Sequence, residues 1–318
     1  MQTPASEFLC LCVIECQNEE TEESKTVPTY IRKSIQPLRP ALLYYDASVS
    51  TTMKYADISK PSKDLLNEDY TSAVTLKCKG KAGPFDVTIE TLRSPAGALT
   101  SKVGGKFAYA GLNFDKVQAT ADGSHVLETS LVPCAGCKLT FKANKGADLG
   151  VEYTTGAITT TGSLDVLGMS KLYASTCVDV KPGLVMGGDL SYNIAGDKAG
   201  PSAYNLGASY ATGPLFASVT SAGKFTSLNM GLVYKVDKNL SLATSTVHSQ
   251  TKKVDLIAFG GAYTGFSQVG VVKAKIGSDG VTSATIIKEL YPKVNLTASA
   301  SIKGSDMGTF KYGLGIAM

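Results

Sequence analysis

The sequence predicts an all-β chain of about nineteen strands preceded by one short helix. From residue 74 to the last residue, large apolar side chains alternate with small or polar ones, the period that sends alternate side chains to opposite faces of a strand. Turn signals such as Ala121-Asp122-Gly123, Val236-Asp237-Lys238-Asn239 and Ser278-Asp279-Gly280 separate many of the runs. The repeat of strand plus turn is about 13 residues, longer than soluble β-folds use and matched to tilted strands of about ten residues that cross a bilayer.

The chain opens on a region of different character. Residues 1–52 hold four Lys/Arg and seven Asp/Glu, with the acidic cluster Glu19, Glu20, Glu22, Glu23 and a proline-bearing stretch without periodicity. Mitochondrial transit peptides are Arg-rich and poor in acids, and secretory signals have a basic start and a long apolar core. The longest apolar run, Phe8 to Ile14, is far short of the ~20 residues of a spanning helix. Residues 1–52 are therefore expected to be a disordered leader, or an extension of the gene model ahead of a start at Met53. From Met53 on there are 27 basic and 20 acidic residues, so the whole-chain charge of +4 covers a more basic remainder.

Residues 53–69 form the second expected region. In YADISKPSKDLLNEDY (Tyr55 to Tyr70), Tyr55, Ile58, Leu65 and Leu66 can share one side of a helix while Lys60, Lys63, Asp64 and Asp69 decorate the other. Pro61 predicts a break or a fresh first turn there.

Residues 70–318 are the third region. The alternation begins with Val74, Leu76 and Cys78, runs on through Phe85, Val87 and Ile89, and ends with Tyr312, Leu314, Ile316 and Met318; it is faintest near 215–222 and 264–287. Off-phase positions hold Lys77, Lys79, Lys102, Lys106, Lys138, Lys142, Glu152, Asp165, Asp179, Asp189 and Lys235 among many Ser, Thr and Gly. A sandwich with one wet face and a wide barrel with a water-filled lumen both suit this pattern. No tryptophan is present to build an interfacial belt, a place that tyrosines at run ends can take.

The seven cysteines include Cys10, Cys12 and Cys16 near the start and a lone C-x-x-C at Cys134 and Cys137; His125 and His248 are the only histidines. A tetrahedral zinc site needs further ligands at suitable spacing, so no metal, no cofactor and no disulfide framework is assigned, and the thiols are expected to be unpaired. There is no strand-then-helix glycine fingerprint, no H-E-x-x-H and no nucleophile elbow, which argues against an enzyme.

Tyr55-Ala56-Asp57-Ile58-Ser59-Lys60 followed by Lys63-Asp64, the Asp69-Tyr70 that leads into the first strand, Gly111-Leu112-Asn113-Phe114, Lys138-Leu139-Thr140-Phe141 and the terminal strand together resemble the voltage-dependent anion channels, the eukaryotic porins of the mitochondrial outer membrane. The likeness spans residues 53–318. In the terminal KYGLGIAM, the residues Lys311, Gly313, Ile316 and Met318 resemble the signal by which mitochondrial barrels are recognised for insertion. Two departures stand out. Some animal members place a glutamate on the lipid side of the fourth strand where this sequence has Lys116, expected here to face lipid and snorkel. The Gly-Leu-Lys associated with nucleotide contact is replaced by Gly136-Cys137-Lys138 and Pro292-Lys293-Val294.

The resemblance implies a transmembrane β-barrel of about 19 strands with the N-terminal helix inside the pore. It implies a voltage-gated, weakly anion-selective channel of that membrane for chloride, ATP, ADP and small metabolites. Lys60, Lys63 and Asp64 would meet permeant anions, and Lys77, Lys79, Lys102, Lys106, Lys138, Lys142 and Lys235 would line the lumen. The implied partners are membrane lipid, transient anions and nucleotides, and the barrel-insertion machinery, with homo-oligomerisation left open and no nucleic acid. A protein-import pore of the same membrane and a soluble β-repeat binding protein are the alternatives. An odd strand count makes the first and last strands parallel, so residues 309–318 should seal against residues 70–79, with Cys78 in cross-linking reach of position 314 or 316.

Overall fold

The computed structural model describes residues 53–318 apart from 196–198, 251–253, 267–268 and 305. The expected leader, residues 1–52, lies outside the described residues.

Nineteen strands follow one another as a meander. They are β1 (Val74–Ala82), β2 (Phe85–Arg93), β3 (Leu99–Tyr109), β4 (Leu112–Thr120), β5 (His125–Cys134), β6 (Cys137–Ala143), β7 (Ala147–Thr155), β8 (Ile158–Asp165), β9 (Lys171–Lys181) and β10 (Leu184–Asn193), then β11 (Gly200–Thr212), β12 (Leu215–Ala222), β13 (Ser227–Lys235), β14 (Leu240–Ser249), β15 (Val254–Phe266), β16 (Gly270–Gly277), β17 (Val281–Tyr291), β18 (Val294–Lys303) and β19 (Asp306–Ala317). The stretches where the alternation is faintest form β12, β16 and parts of β15 and β17.

Each strand pairs antiparallel with the next, and β1 pairs parallel with β19, so the sheet closes on itself. Closure leaves no edge whose N–H and C=O groups would be stranded in hydrocarbon. At the seam Val74 to Lys77 lie opposite Leu314 to Ala317. The ladder continues to the terminal residue: Met318 N donates to Lys77 O at 2.9 Å, and Lys79 N donates to Met318 O at 2.6 Å.

Residues opposed in register share a face, and the two faces differ in chemistry. The outer face leaves Val74, Leu76, Ile89, Val103, Leu206, Leu232 and Leu314 exposed, and Phe85, Phe107 and Phe114 form a row on it with ring centroids 5.1 and 4.3 Å apart. So continuous an apolar exterior belongs in lipid rather than water. The inner face carries lysines, carboxylates, Ser, Thr and Gly.

One sequence expectation is corrected by the register. β4 shifts between Phe114 and Lys116 against β5, with Asp115 as the extra residue. Phe114 opposes Thr129, yet Lys116 opposes Glu128, which in turn opposes Lys142 on the inner face. A bulge inserts one residue and so changes which side the following residues face. Lys116 therefore points into the lumen and Val117 takes the lipid position, so the strict alternation that placed Lys116 outside fails at Asp115.

The helix is short. A single 3-10 turn (Tyr55–Asp57) precedes α1 (Lys60–Asn67), with Pro61 in the first turn of α1, where its missing N–H costs no helical bond. Asp69, at φ 73°, takes the left-handed conformation that ends helices and turns the chain toward β1. Eight residues are too few to hold a helix in water unaided; its stability comes from packing on the inner wall.

Candidate pore-lining site

Segment 54–71 lies along the inner wall, and its sequence pattern explains how. Ile58 is fully buried, and Leu65 and Leu66 join Ala211, Phe216, Val233, Ala243 and Ala262 in the chain's one apolar cluster among the described residues. Burial of such side chains contributes about 1.5–3 kcal/mol each. These wall residues are inward-facing positions on β11 to β15, where a pore would otherwise carry polar groups. Glycine makes the close approach possible: a Cβ on Gly260 would lie 2.8 Å from Leu66 Cδ2, and one on Gly231 would fall on the Ser62 hydroxyl. Ser62 instead donates to Ser59 O at 3.1 Å within the helix.

Both ends of the segment are tied by ion pairs to distant strands. Lys54 Nζ is 2.7 Å from Glu152 on β7, and Lys273 Nζ on β16 is 2.7 Å from Asp69. Beyond Asp69 the chain is strapped down: Thr285 Oγ1 donates to Asp69 O at 3.1 Å, Ser299 Oγ donates to Thr71 O, and Lys275 Nζ sits 4.5 Å from the Tyr70 ring centroid. Burial, then the Asp69 carboxylate, pushes the Tyr70 phenol up to about 12. Burial first, then the carboxylates of Asp64 and Asp69, raises Glu68 above the usual carboxylate range. Burial and the neighbouring Asp189 carboxylate likewise push the Tyr55 phenol up.

With the apolar side on the wall, Lys60 and Lys63 are exposed to the lumen and Asp64 is half-buried. Lys60 pairs loosely with Asp57 at 3.8 Å. The seven lysines singled out on the strands all occupy inward register positions. Lys77 and Lys102 flank Glu90 at 3.7 and 3.0 Å, Lys138 reaches Asp115 at 3.5 Å, and Lys142 reaches Glu128 at 3.9 Å. Lys79, Lys106 and Lys116 make no ion pair with a carboxylate among the described residues. Lys235 also faces inward, opposite Ser241. The wall from β1 to β7 is thus a lattice of partly compensated charge with a surplus of lysine.

Within the terminal strand, Lys311 and Gly313 face the lumen, while Ile316 and Met318 face outward. Gly313 is buried beneath the strap, since a Cβ there would collide with Thr71 O. The structure thereby brings the end of the chain under the segment that follows the helix. Lys273, Lys275 and the glycines under α1 escaped the sequence reading. A cation two residues from another on one strand is the only signal for the first two, and a glycine at an inward phase the only signal for the others.

A model of the eukaryotic porin family matches residues 51–313. Among curated proteins, the chain is similar to mitochondrial outer membrane protein porin 4 of Arabidopsis thaliana, 23% identical over 85% of this chain and 98% of that protein. It is also similar to mitochondrial outer membrane protein porin 2 of rice (Oryza sativa subsp. japonica), 26% identical over 83% of this chain and 95% of that one. Among solved structures, a triple mutant of Rh. blastica porin aligns with a TM-score of 0.42 at 11% identity, covering 73% of this chain and 90% of that one.

Proposed function

From the premise that this chain belongs to the eukaryotic porin family and forms a pore, we propose that it is a voltage-gated, weakly anion-preferring channel of the mitochondrial outer membrane. Chloride, ATP, ADP and other small metabolites would cross it still hydrated. The names of its relatives support the location. The single observation that supports the selectivity is the surplus of cations that face the lumen. Lys60 and Lys63 project from the helix into the lumen, and Lys79, Lys106 and Lys116 stand on the uncovered wall without a carboxylate within ion-pair distance among the described residues. Fixed charge in a confined water column raises the local concentration of the opposite ion and excludes its own kind. Gating is supported by the charges on segment 54–69, which is held to the wall by side-chain packing and ion pairs rather than by the strand ladder; moving one unit charge through the field is worth about 2.3 kcal/mol per 100 mV. The terminal strand would be read by the insertion machinery during assembly, and self-association remains compatible with the lipid-facing exterior.

The experiment is single-channel recording in a planar bilayer under a KCl gradient. A reversal potential of anion sign, moved toward cation preference by Lys60→Glu and Lys63→Glu, supports the assignment. An unchanged reversal potential in the double variant removes the helix from the ion path, and a cation-selective parent channel overturns the proposed selectivity.

A further inference from the structure

The C-x-x-C motif, which neither the pore nor the terminal strand absorbs, closes a hairpin. Cys134 ends β5 and Cys137 begins β6, and the two are directly opposed in register across the turn Ala135-Gly136. Opposed residues of an antiparallel pair have Cα atoms about 4.5–5.5 Å apart, within the 4.4–6.8 Å that a disulfide bridges.

The turn holds this geometry firmly. Gly136 sits at φ 81°, its carbonyl accepts from Thr154 N at 2.7 Å, and a Cβ there would strike the Thr154 carbonyl. Just upstream the β5 register slips between Leu131 and Cys134, so Val132 and Pro133 stand outside the ladder to β6. Cys134 is exposed and Cys137 half-buried; the other described thiols have no such neighbour, Cys78 opposing Ile89 and the buried Cys177 opposing Thr159 and Gly187.

We propose that Cys134 and Cys137 form a reversible dithiol–disulfide site that reacts with small-molecule disulfides such as glutathione disulfide. The exposed Cys134 thiolate attacks one sulfur of the oxidant, forming a mixed disulfide and expelling one glutathione thiolate. Cys137 then attacks the Cys134 sulfur and expels the second. The two protons lost by the cysteines end on the two glutathione thiols, so two protein thiols are oxidised and one small disulfide is reduced. The bond staples the slipped end of β5 to β6 on the side of the sheet toward which β1 and β19 also run, since the odd-numbered strands of the meander all point the same way.

The test uses the full chain reconstituted in liposomes, treated with glutathione disulfide, alkylated and cleaved with trypsin, since Val117 to Lys138 is one tryptic segment carrying both cysteines. The expected segment has lost two hydrogens, takes up no alkylating agent and carries no glutathione, and dithiothreitol restores two alkylated thiols. Cys137→Ser should instead trap one glutathione on Cys134. A parent segment that keeps both thiols alkylatable, or that accumulates glutathione adducts without losing the two hydrogens, overturns the proposal.

Discussion

Ser62 on α1 lies over Gly231 on β13 so closely that no side chain fits between them, and Ser218 on β12 closes the same gap at 2.9 Å from the position a Cβ would take. The helix is seated in a notch in the wall rather than laid on a flat surface.

Gly231→Val should therefore unseat α1. Overpacking a fitted site costs about 1–3 kcal/mol, which corresponds to about a 5- to 150-fold rise in trypsin cleavage after Lys63 of the folded channel. Gly80→Val, at an outward position with nothing within 4 Å, serves as the control and should leave cleavage unchanged. Equal effects from the two variants would mean that the notch does not hold the helix.

The Asp69–Lys273 pair should contribute a small, salt-sensitive share of that seating. Lys273 is 14% exposed and Asp69 37%, so water screens the carboxylate side and the coupling should fall in the 0.2–1 kcal/mol range of exposed pairs. Asp69→Asn is the clean partner deletion, because asparagine tolerates the left-handed backbone at this position. A double-mutant cycle with Lys273→Met, read by the same cleavage, should show coupling at low salt that vanishes in 1 M KCl. Coupling that survives high salt would contradict the assignment.

Glu68 gives the seating a pH dependence of definite sign. Its pKa is raised in the docked state by burial and by Asp64 and Asp69, so the docked state binds the proton more tightly than the free segment. Ionised Glu68 therefore weakens docking at neutral pH, and the penalty is relieved as pH falls through the raised value toward the ordinary ~4.3. The negative charge at the helix C-terminus adds to the penalty. Cleavage after Lys63, corrected for the intrinsic pH profile of the protease on a peptide, should slow as the pH is lowered from 7 toward that ordinary value. Glu68→Gln should remove that trend and protect the site at pH 7; a trend of equal size in the variant would exclude Glu68 as its source.

Most of this architecture is written in residue periodicity, because a strand between lipid and water must alternate and a one-residue error would bury charge in hydrocarbon. The inward lysines from Lys77 to Lys235 were legible for that reason, as was the parallel seam, which follows from an odd count. Lys116 was misread because a bulge leaves no composition signature: Phe114-Asp115-Lys116-Val117 reads equally well with or without the extra residue, and only pairing with Glu128 decides. The helix seat was hidden for a different reason. Gly231, Gly260 and Ala243 look like ordinary small lumen residues until α1 is laid against them, and contacts between residues so far apart in sequence have no local pattern.

The corrected placement of Lys116 changes an expectation about transport. A lipid-facing lysine would leave selectivity almost untouched when altered, but an inward one opposite Glu128 joins the lumen field. Lys116→Glu should move the reversal potential toward cation preference in the same direction as Lys106→Glu, with both effects shrinking at high salt as screening shortens their reach. No movement for Lys116 beside a clear movement for Lys106 would return it to the lipid side.

The seam register makes a sharper cross-linking prediction than strand parity alone. The sequence places Cys78 near positions 314 and 316, but the ladder puts Leu314 opposite Val74 and Ile316 opposite Leu76, so the residue facing Cys78 is Met318. Parallel neighbours lie about 4.8 Å apart and each residue along a strand adds about 3.3 Å, which puts position 316 about 8 Å from Cys78 and position 314 about 14 Å away. Only the first separation is within the ~7 Å limit for a disulfide. Met318 is also held in place, since its N–H and C=O are both bound to β1, at Lys77 O and Lys79 N. In a chain whose other cysteines are replaced, Met318→Cys should cross-link to Cys78 rapidly under mild oxidation, Ile316→Cys slowly and Leu314→Cys hardly at all. Fastest linkage through position 314 would mean that β19 is slipped by four residues against β1. The strap would then lose its place, because Gly313, the residue without a side chain, would no longer lie beneath Thr71.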